Sequence, residues 1–298
     1  MKIYKQLENK YAALSSDAHT HLKGLLHAKE LNYWEYIQLD TLLTLQKPRS
    51  IYGDEEIFII YHQNTELTFK LMLRELKQIW DNQENELDDL LTRVSRLVRY
   101  TNMLINTFDI MKHGMDMEQY QLFRNTLAPA SGLQSIQYRL IELHCTSYSN
   151  LVSGELEEFK IMSEEERLDN LYWKKAGLKS NGDTTLTMAQ FELKYRDELI
   201  ETLRKVKGKT LEDKIFLMQN IPGDLREMLK EFDYLYNVAW PLVHLDTAQH
   251  YLQFKSKASK STGDSNWVEY LHPKNQKRIF FPTLWSEKEK SQWGQIHQ

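Results

Sequence analysis

The chain has 298 residues, enough for one large domain or two, and only 11 Gly and 6 Pro interrupt long windows rich in Glu, Lys, Leu and Gln. Its 38 basic and 42 acidic side chains are interspersed and leave a formal charge of -4, which excludes the electrostatic footprint of a nucleic-acid binder. No stretch approaches the roughly 18 apolar residues of a membrane span, the opening MKIYKQLENK lacks the apolar core of a signal peptide, and the single Cys145 excludes an intramolecular disulfide, so a soluble, cytoplasmic protein is expected.

In chain order, residues 2 to 30 read as helical but polar, and nothing fixes His19, His21 and His27 to one helical face as a metal site requires. Residues 31 to 46, LNYWEYIQLDTLLTLQ, form an aromatic-rich amphipathic segment that Lys47-Pro48 ends. Asp54 can cap the next helix, which runs to about residue 85 and carries apolar residues at three- and four-residue spacing. A third long segment, 86 to 112, sets Leu87, Leu90, Leu91, Val94, Leu97, Val98 and Leu104 on one stripe and closes at His113-Gly114, the pattern of an αα-hairpin. A short helix at 116 to 125 is broken by Pro129-Ala130-Ser131-Gly132, and helix resumes over 133 to 150. The charged stretch 151 to 210 holds the clearest loop, LKSNGDTT at 178 to 185. After Pro222, a good first-turn residue, Leu225, Leu229, Phe232, Tyr236, Ala239 and Val243 keep a 3.6 period for nearly 20 residues. No run of alternating β-branched residues bounded by hairpin signals occurs. The fold class expected is all-α: a single helical domain over 1–298, with a smaller helical insertion at 151–215.

Several chemistries fail for want of residues. A carboxylate-bridged di-iron bundle needs two Glu-x-x-His pairs, His-Glu-x-x-His zinc chemistry needs its own string, and dinucleotide binding needs a glycine-rich loop; the sequence has none of them. Cys145 reads as packing, because its neighbour His144 points about 100° away on a helix. What remains is His62 in FIIYHQNTEL and His244 in AWPLVHLDTAQHYL. A lone histidine on an apolar stripe is more often a hydrogen-bonded core residue. Around His244, however, Trp240, Thr247, Ala248 and Tyr251 share its face, small residues leave room for a flat cofactor, and Pro241 withholds a backbone N–H, a hint of a helix adjusted around something. Haem suits such a place: one neutral imidazole for the iron, apolar walls, and a second polar group opposite.

The strings FIIYHQNTELTFKLMLREL, QYQLFRNTLAPASGLQSIQYRLIEL at 119 to 143, AWPLVHLDTA at 239 to 248, and STGDSNWVEYL with FFPTLWS at 261 to 286 resemble the tryptophan 2,3-dioxygenases in order and spacing. YWEYIQLDTLLTLQKPRS at 33 to 50 is similar to that family too. The resemblance implies a helical domain enclosing haem b, with ferrous iron and dioxygen, that cleaves the indole C2–C3 bond of L-tryptophan to N-formyl-L-kynurenine, the first step of the kynurenine pathway. By position it makes His244 the proximal ligand of the haem iron and His62 the distal residue facing the indole N–H. It likewise assigns Phe58 to the aromatic wall, Arg124 to the substrate carboxylate with Tyr120 beside it, and Ser131 and Thr262 to the substrate set. Tyr33, Tyr36 and Ile37 match residues that reach into a neighbouring subunit's pocket, which implies a homotetramer with residues 1–38 packing on a neighbouring subunit. Glu66 reads as a structural partner of a nearby base.

Two departures matter. Where the family commonly has Gly-Thr-Gly-Gly after the proximal helix, this chain has Ser261-Thr262-Gly263-Asp264, so a side chain and a negative charge replace a glycine. Near the proximal histidine the family often carries arginines; here stand Pro241-Leu242-Val243 and Asp246, with Lys255, Lys257 and Lys260 as candidate propionate partners. The altered loop admits a related haem enzyme that oxygenates or hydroxylates another aromatic amino acid or indole derivative. A non-catalytic haem-binding homologue is the reading from another class, and a retained carboxylate clamp argues against it.

Overall fold

The computed structural model describes residues 1–81, 87–152, 162–179, 181–252 and 272–295. Among these, every regular element is helical, and β pairing is confined to the isolated bridges Val152 with Leu171 and Leu178 with Thr184. The all-α class expected from the missing strand signals is the class observed. No helix among the described residues is long and apolar enough to cross a membrane.

Residues Met1–Lys47 and Pro48–Gln298 form two compact units. The first contains α1 (Lys2–Ala12), α2 (Ala18–Leu25), α3 (Tyr33–Tyr36) and α4 (Leu39–Leu42). Asp17 caps α2 by accepting from the His19 and Thr20 N–H groups, and His21 stacks on Tyr11 with ring centres 3.9 Å apart. The amphipathic pattern of 31 to 46 does not give one helix. It gives two single turns separated at Gln38, whose φ is 56°. No residue of that segment is buried, so the apolar stripe lacks the packing from which most helical stability comes.

The second unit is organised by α5 (Asp54–Asp81) and α6 (Leu87–His113). They run antiparallel, since Tyr61 meets Phe108 near one end and Glu75 meets Arg93 further along. Phe69, Met72, Leu76 and Ile79 of α5 bury against Leu90, Val94, Leu97 and Leu104 of α6, each burial contributing about 1.5 to 3 kcal/mol. Asp54 does not cap its own helix; it is the first helical residue, and its carboxylate accepts from the Asp116 N–H instead. The corner it secures leads into α7 (Met117–Phe123), a 3₁₀ turn at Arg124–Leu127, and α8 (Ile136–Cys145), which packs on α5. Cys145 is fully buried, and burial pushes its thiol pKa up, away from nucleophilic chemistry. Further along come α9 (Glu164–Asp169), α10 (Tyr172–Ala176), α11 (Leu186–Val206) and α12 (Leu211–Phe216); their Leu168, Trp173, Phe191 and Leu211 belong to the same apolar core as α5 and α6.

The last long helical run consists of α13 (Gly223–Tyr234), a π-helical turn over Leu235–Ala239, and α14 (Trp240–Leu252). Pro241 explains the wide turn: it has no N–H to give the preceding turn and its ring crowds the carbonyl four residues back. The adjustment that Pro241 hinted at is therefore present, immediately before the helix that carries His244.

Asp233, fully buried at the end of α13, accepts from the Phe280 N–H at 2.9 Å, the Phe281 N–H at 3.1 Å, Trp285 Nε1 at 3.0 Å and Asn237 Nδ2 at 2.8 Å. Burial raises its carboxyl pKa to about 6, a rise that these four donors limit by favouring the charged form. Asp233→Ala is expected to lower unfolding free energy by at least about 3 kcal/mol, because several buried donors lose their acceptor at about 1 to 3 kcal/mol each. Chemical denaturation checks this, and a loss below about 1 kcal/mol counts against the clamp.

Candidate functional site

A second apolar cluster stands apart from the main core and is almost entirely aromatic or methionine: Tyr61, Phe108, Met111, Met115, Phe123 and Tyr251 are buried in it, with Phe58, Tyr120, Trp240 and Val243 packed alongside. Four helices meet there. The face of α5 supplies Phe58, Tyr61 and His62, α6 supplies Phe108 and Met111, α7 supplies Tyr120 and Phe123, and α14 supplies Trp240, Val243, His244 and Tyr251. The spacing of Phe58 and His62 puts them one turn apart on one side of α5, and their ring centres lie 4.1 Å apart.

His62 keeps solvent access while its ring packs against Phe58 and, edge-on, Tyr61. Its Nδ1 lies 2.7 Å from the Phe58 carbonyl oxygen, which can only accept, so Nδ1 carries the proton. Burial lowers the pKa of the imidazole, and in the neutral ring Nε2 is left as an acceptor. Glu66, one turn further, accepts from Gln137 Nε2 through both its backbone carbonyl, at 2.8 Å, and its carboxylate, at 2.7 Å. It thus ties α5 to α8, with an amide in place of the base expected as its partner.

His244 is half-buried, 5.5 Å from Phe108 and 6.3 Å from Trp240 between ring centres. Burial drives its pKa down to about 4, with His62 as the lesser cause, so its ring is neutral; Tyr61, 5.2 Å from His62 and 5.6 Å from Phe108 between ring centres, links the two histidines through aromatic contacts. No hydrogen bond ties down the His244 ring among the described residues. Nor, among the described residues, do three His, Cys, Asp or Glu side chains gather there as they would around a bare metal ion. A lone neutral imidazole beside aromatic walls is a donor set that suits a metal arriving with its own ring of ligands, and haem fits that description.

Beside the two histidines, Phe58 lies 5.8 Å from Phe123 and 6.3 Å from Tyr120. Tyr120 is one turn before Arg124, which is 8% exposed and close enough to act on the Tyr120 hydroxyl electrostatically. The structure thus brings His62, Phe58, Tyr120, Arg124 and His244 into one neighbourhood. Ser131 instead caps its own 3₁₀ turn, its hydroxyl accepting from the Leu133 N–H at 3.3 Å. Tyr33 and Tyr36 are exposed and Ile37 half-buried, all in the first unit. Thr262, with Ser261, Gly263, Asp264, Lys255, Lys257 and Lys260, lies outside the described residues. Phe108, which walls His244, was within reach of the sequence: it extends the α6 stripe one turn past Leu104. Asp246 pairs with Lys112 across α14 and α6 at 2.5 Å.

The tryptophan 2,3-dioxygenase family matches residues 18–215. A tryptophan 2,3-dioxygenase of Ruegeria sp. strain TM1040 is 31% identical over 278 residues, covering 87% of this chain and 92% of that protein. One from Bacillus thuringiensis strain Al Hakam is 35% identical over 136 residues, 45% of this chain and 47% of its own length. One from Polaromonas sp. strain JS666 is 39% identical over 116 residues, 39% of each. In the Bacillus and Polaromonas matches the chain thus spans less than half the length of its relative.

Proposed function

The chain belongs to the tryptophan 2,3-dioxygenase family, and from that membership we propose that it binds haem b through His244 and uses dioxygen to cleave the indole C2–C3 bond of L-tryptophan, giving N-formyl-L-kynurenine. This is the first step of tryptophan catabolism by the kynurenine route, carried out in the cytoplasm. The observation that carries the reading is that His62 and His244 border one aromatic cluster, His62 against Phe58 at 4.1 Å and Tyr61 at 5.2 Å, and His244 against Phe108 at 5.5 Å, between ring centres. When bound, the haem supplies the iron at which the oxygen chemistry takes place.

The residues of the chain supply the rest. Phe58 and its ring neighbours give the indole an apolar surface, and His62 Nε2 accepts the indole N–H, whose burial without a partner costs about 1 to 3 kcal/mol. Arg124 offers a planar fork of donors to the amino-acid carboxylate, with Tyr120 against it. Held at both ends, the substrate presents its C2–C3 bond in one orientation. Ser131 and Thr262 complete the substrate set in this proposal. His62→Ala is expected to keep haem and lose roughly 5- to 100-fold in kcat/KM, the equivalent of that unpaired donor; loss of haem in this variant would make His62 the ligand instead.

Tyr33, Tyr36 and Ile37 complete a neighbouring chain's pocket within a homotetramer, in keeping with the exposed aromatic rings of the first unit. Deleting residues 1–38 should lower particle mass and activity together, as light scattering beside turnover would show. A truncated tetramer of unchanged activity contradicts the exchange.

The whole reading is tested by mixing anaerobically reduced, haem-loaded protein with L-tryptophan and air and following N-formylkynurenine by absorbance and mass. Haem loading without that product rejects it, and a product one oxygen atom heavier than the substrate identifies a hydroxylase.

A further inference from the structure

Tyr251 lies seven residues, about two turns, beyond His244 on α14 and is 2% exposed. Its hydroxyl donates to the Met111 carbonyl at 2.6 Å and lies 3.3 Å from that of Met115. Met111 sits in the last turn of α6, where carbonyls have no partner within the helix, so a side chain from α14 closes the end of α6. Tyr251's ring packs on Tyr120 with centres 4.4 Å apart, and its backbone carbonyl accepts from Gln121 Nε2. α7 is therefore gripped twice by one residue, at the turn before Arg124.

We infer that Tyr251 is a positioning residue that fixes Tyr120, and with it the turn carrying Arg124, at a set height relative to the helix of His244. A phenylalanine there keeps the ring contact but loses the anchor on α6; an aliphatic residue loses both. The inference rests on the reading of Arg124 as the partner of a substrate carboxylate. Its consequence is selective: Tyr251 matters for ligands that bear a carboxylate and little for those that present only the indole.

The test uses haem-loaded wild type, Tyr251→Phe and Tyr251→Leu. L-tryptophan and tryptamine are each titrated by calorimetry and by the haem absorbance band, with turnover measured alongside. Expected is a roughly threefold weakening of L-tryptophan binding in Tyr251→Phe and tenfold or more in Tyr251→Leu, the sizes of a lost hydrogen bond and of that loss plus an aromatic contact. KM should rise accordingly while kcat changes less than about threefold. Tryptamine binding should shift less than about twofold in both, with haem content unchanged. Equal weakening of the two ligands, or none, overturns the inference and makes Tyr251 a core residue only; if Tyr251→Leu does not hold haem, Tyr251→Phe decides. Wild type that binds L-tryptophan no better than tryptamine instead overturns the assignment of Arg124 on which the inference stands.

Discussion

Replacing His244 by alanine is expected to abolish stable haem incorporation. On α14 the other imidazole is His250, six residues on and so about 240° around the helix; it is exposed, with its ring near His113 and the edge of Tyr251 and not on the side of α14 that faces Phe108. His62 comes from α5, with Nδ1 committed to the Phe58 carbonyl. The helix itself should survive, because Asp233, the π turn and the Tyr251 anchor do not involve the His244 ring. Purified His244→Ala should therefore show native helicity and thermal behaviour as apoprotein but no haem band after reconstitution. Added imidazole should restore part of that band by entering the vacated space. Full haem occupancy with the native spectrum would refute the assignment of His244 as the ligand.

Arg124→Ala is expected to cost about 3 to 5 kcal/mol in kcat/KM for L-tryptophan, roughly 150- to 5,000-fold, since the substrate carboxylate is left without its partner in a largely desolvated place. Lysine should rescue poorly, because a point charge cannot reproduce a two-pronged contact. Tryptamine, which lacks the carboxylate, should be a poor substrate of the native protein and should lose far less on the same substitution. Equal losses for both substrates would mean that Arg124, itself buried, supports the fold or the haem.

The long helices were legible because burial on one face imposes a 3.6-residue period, and α5, α6 and the run from α13 to α14 show it. Legibility ended where a segment's partner is far away in sequence. Residues 31 to 46 carry an amphipathic pattern but form single turns, because a pattern states which face wants burial and not whether anything buries it. Asp54 has the look of a cap and serves a different corner. Charges inside the core were out of reach: Asp233 finds its donors 47 and 48 residues on, at Phe280 and Phe281, and the 2.7 Å bond from Arg278 to Glu142 spans 136 residues. At the site, periodicity identified His62 and His244 as odd residues on apolar stripes. Local spacing has no way to express that both border one aromatic cluster, and the resemblance in the surrounding strings supplied that expectation. Tyr251 was visible on the right face of α14, but its grip on Met111 was not.

The Asp233 clamp also bears on how this sequence can diverge. By holding Phe280 and Phe281, it joins two points of the chain almost fifty residues apart, much as a covalent crosslink closes a loop. On α14, Tyr251 is fastened to Met111. Each of these fastenings ties a helix to an element distant in sequence, α13 to the stretch 280–285 and α14 to the end of α6. A change at Asp233 is felt at once by the donors of Phe280, Phe281, Trp285 and Asn237, so that position is held to a carboxylate while its exposed neighbours on α13, Glu231 and Tyr234, are free to vary.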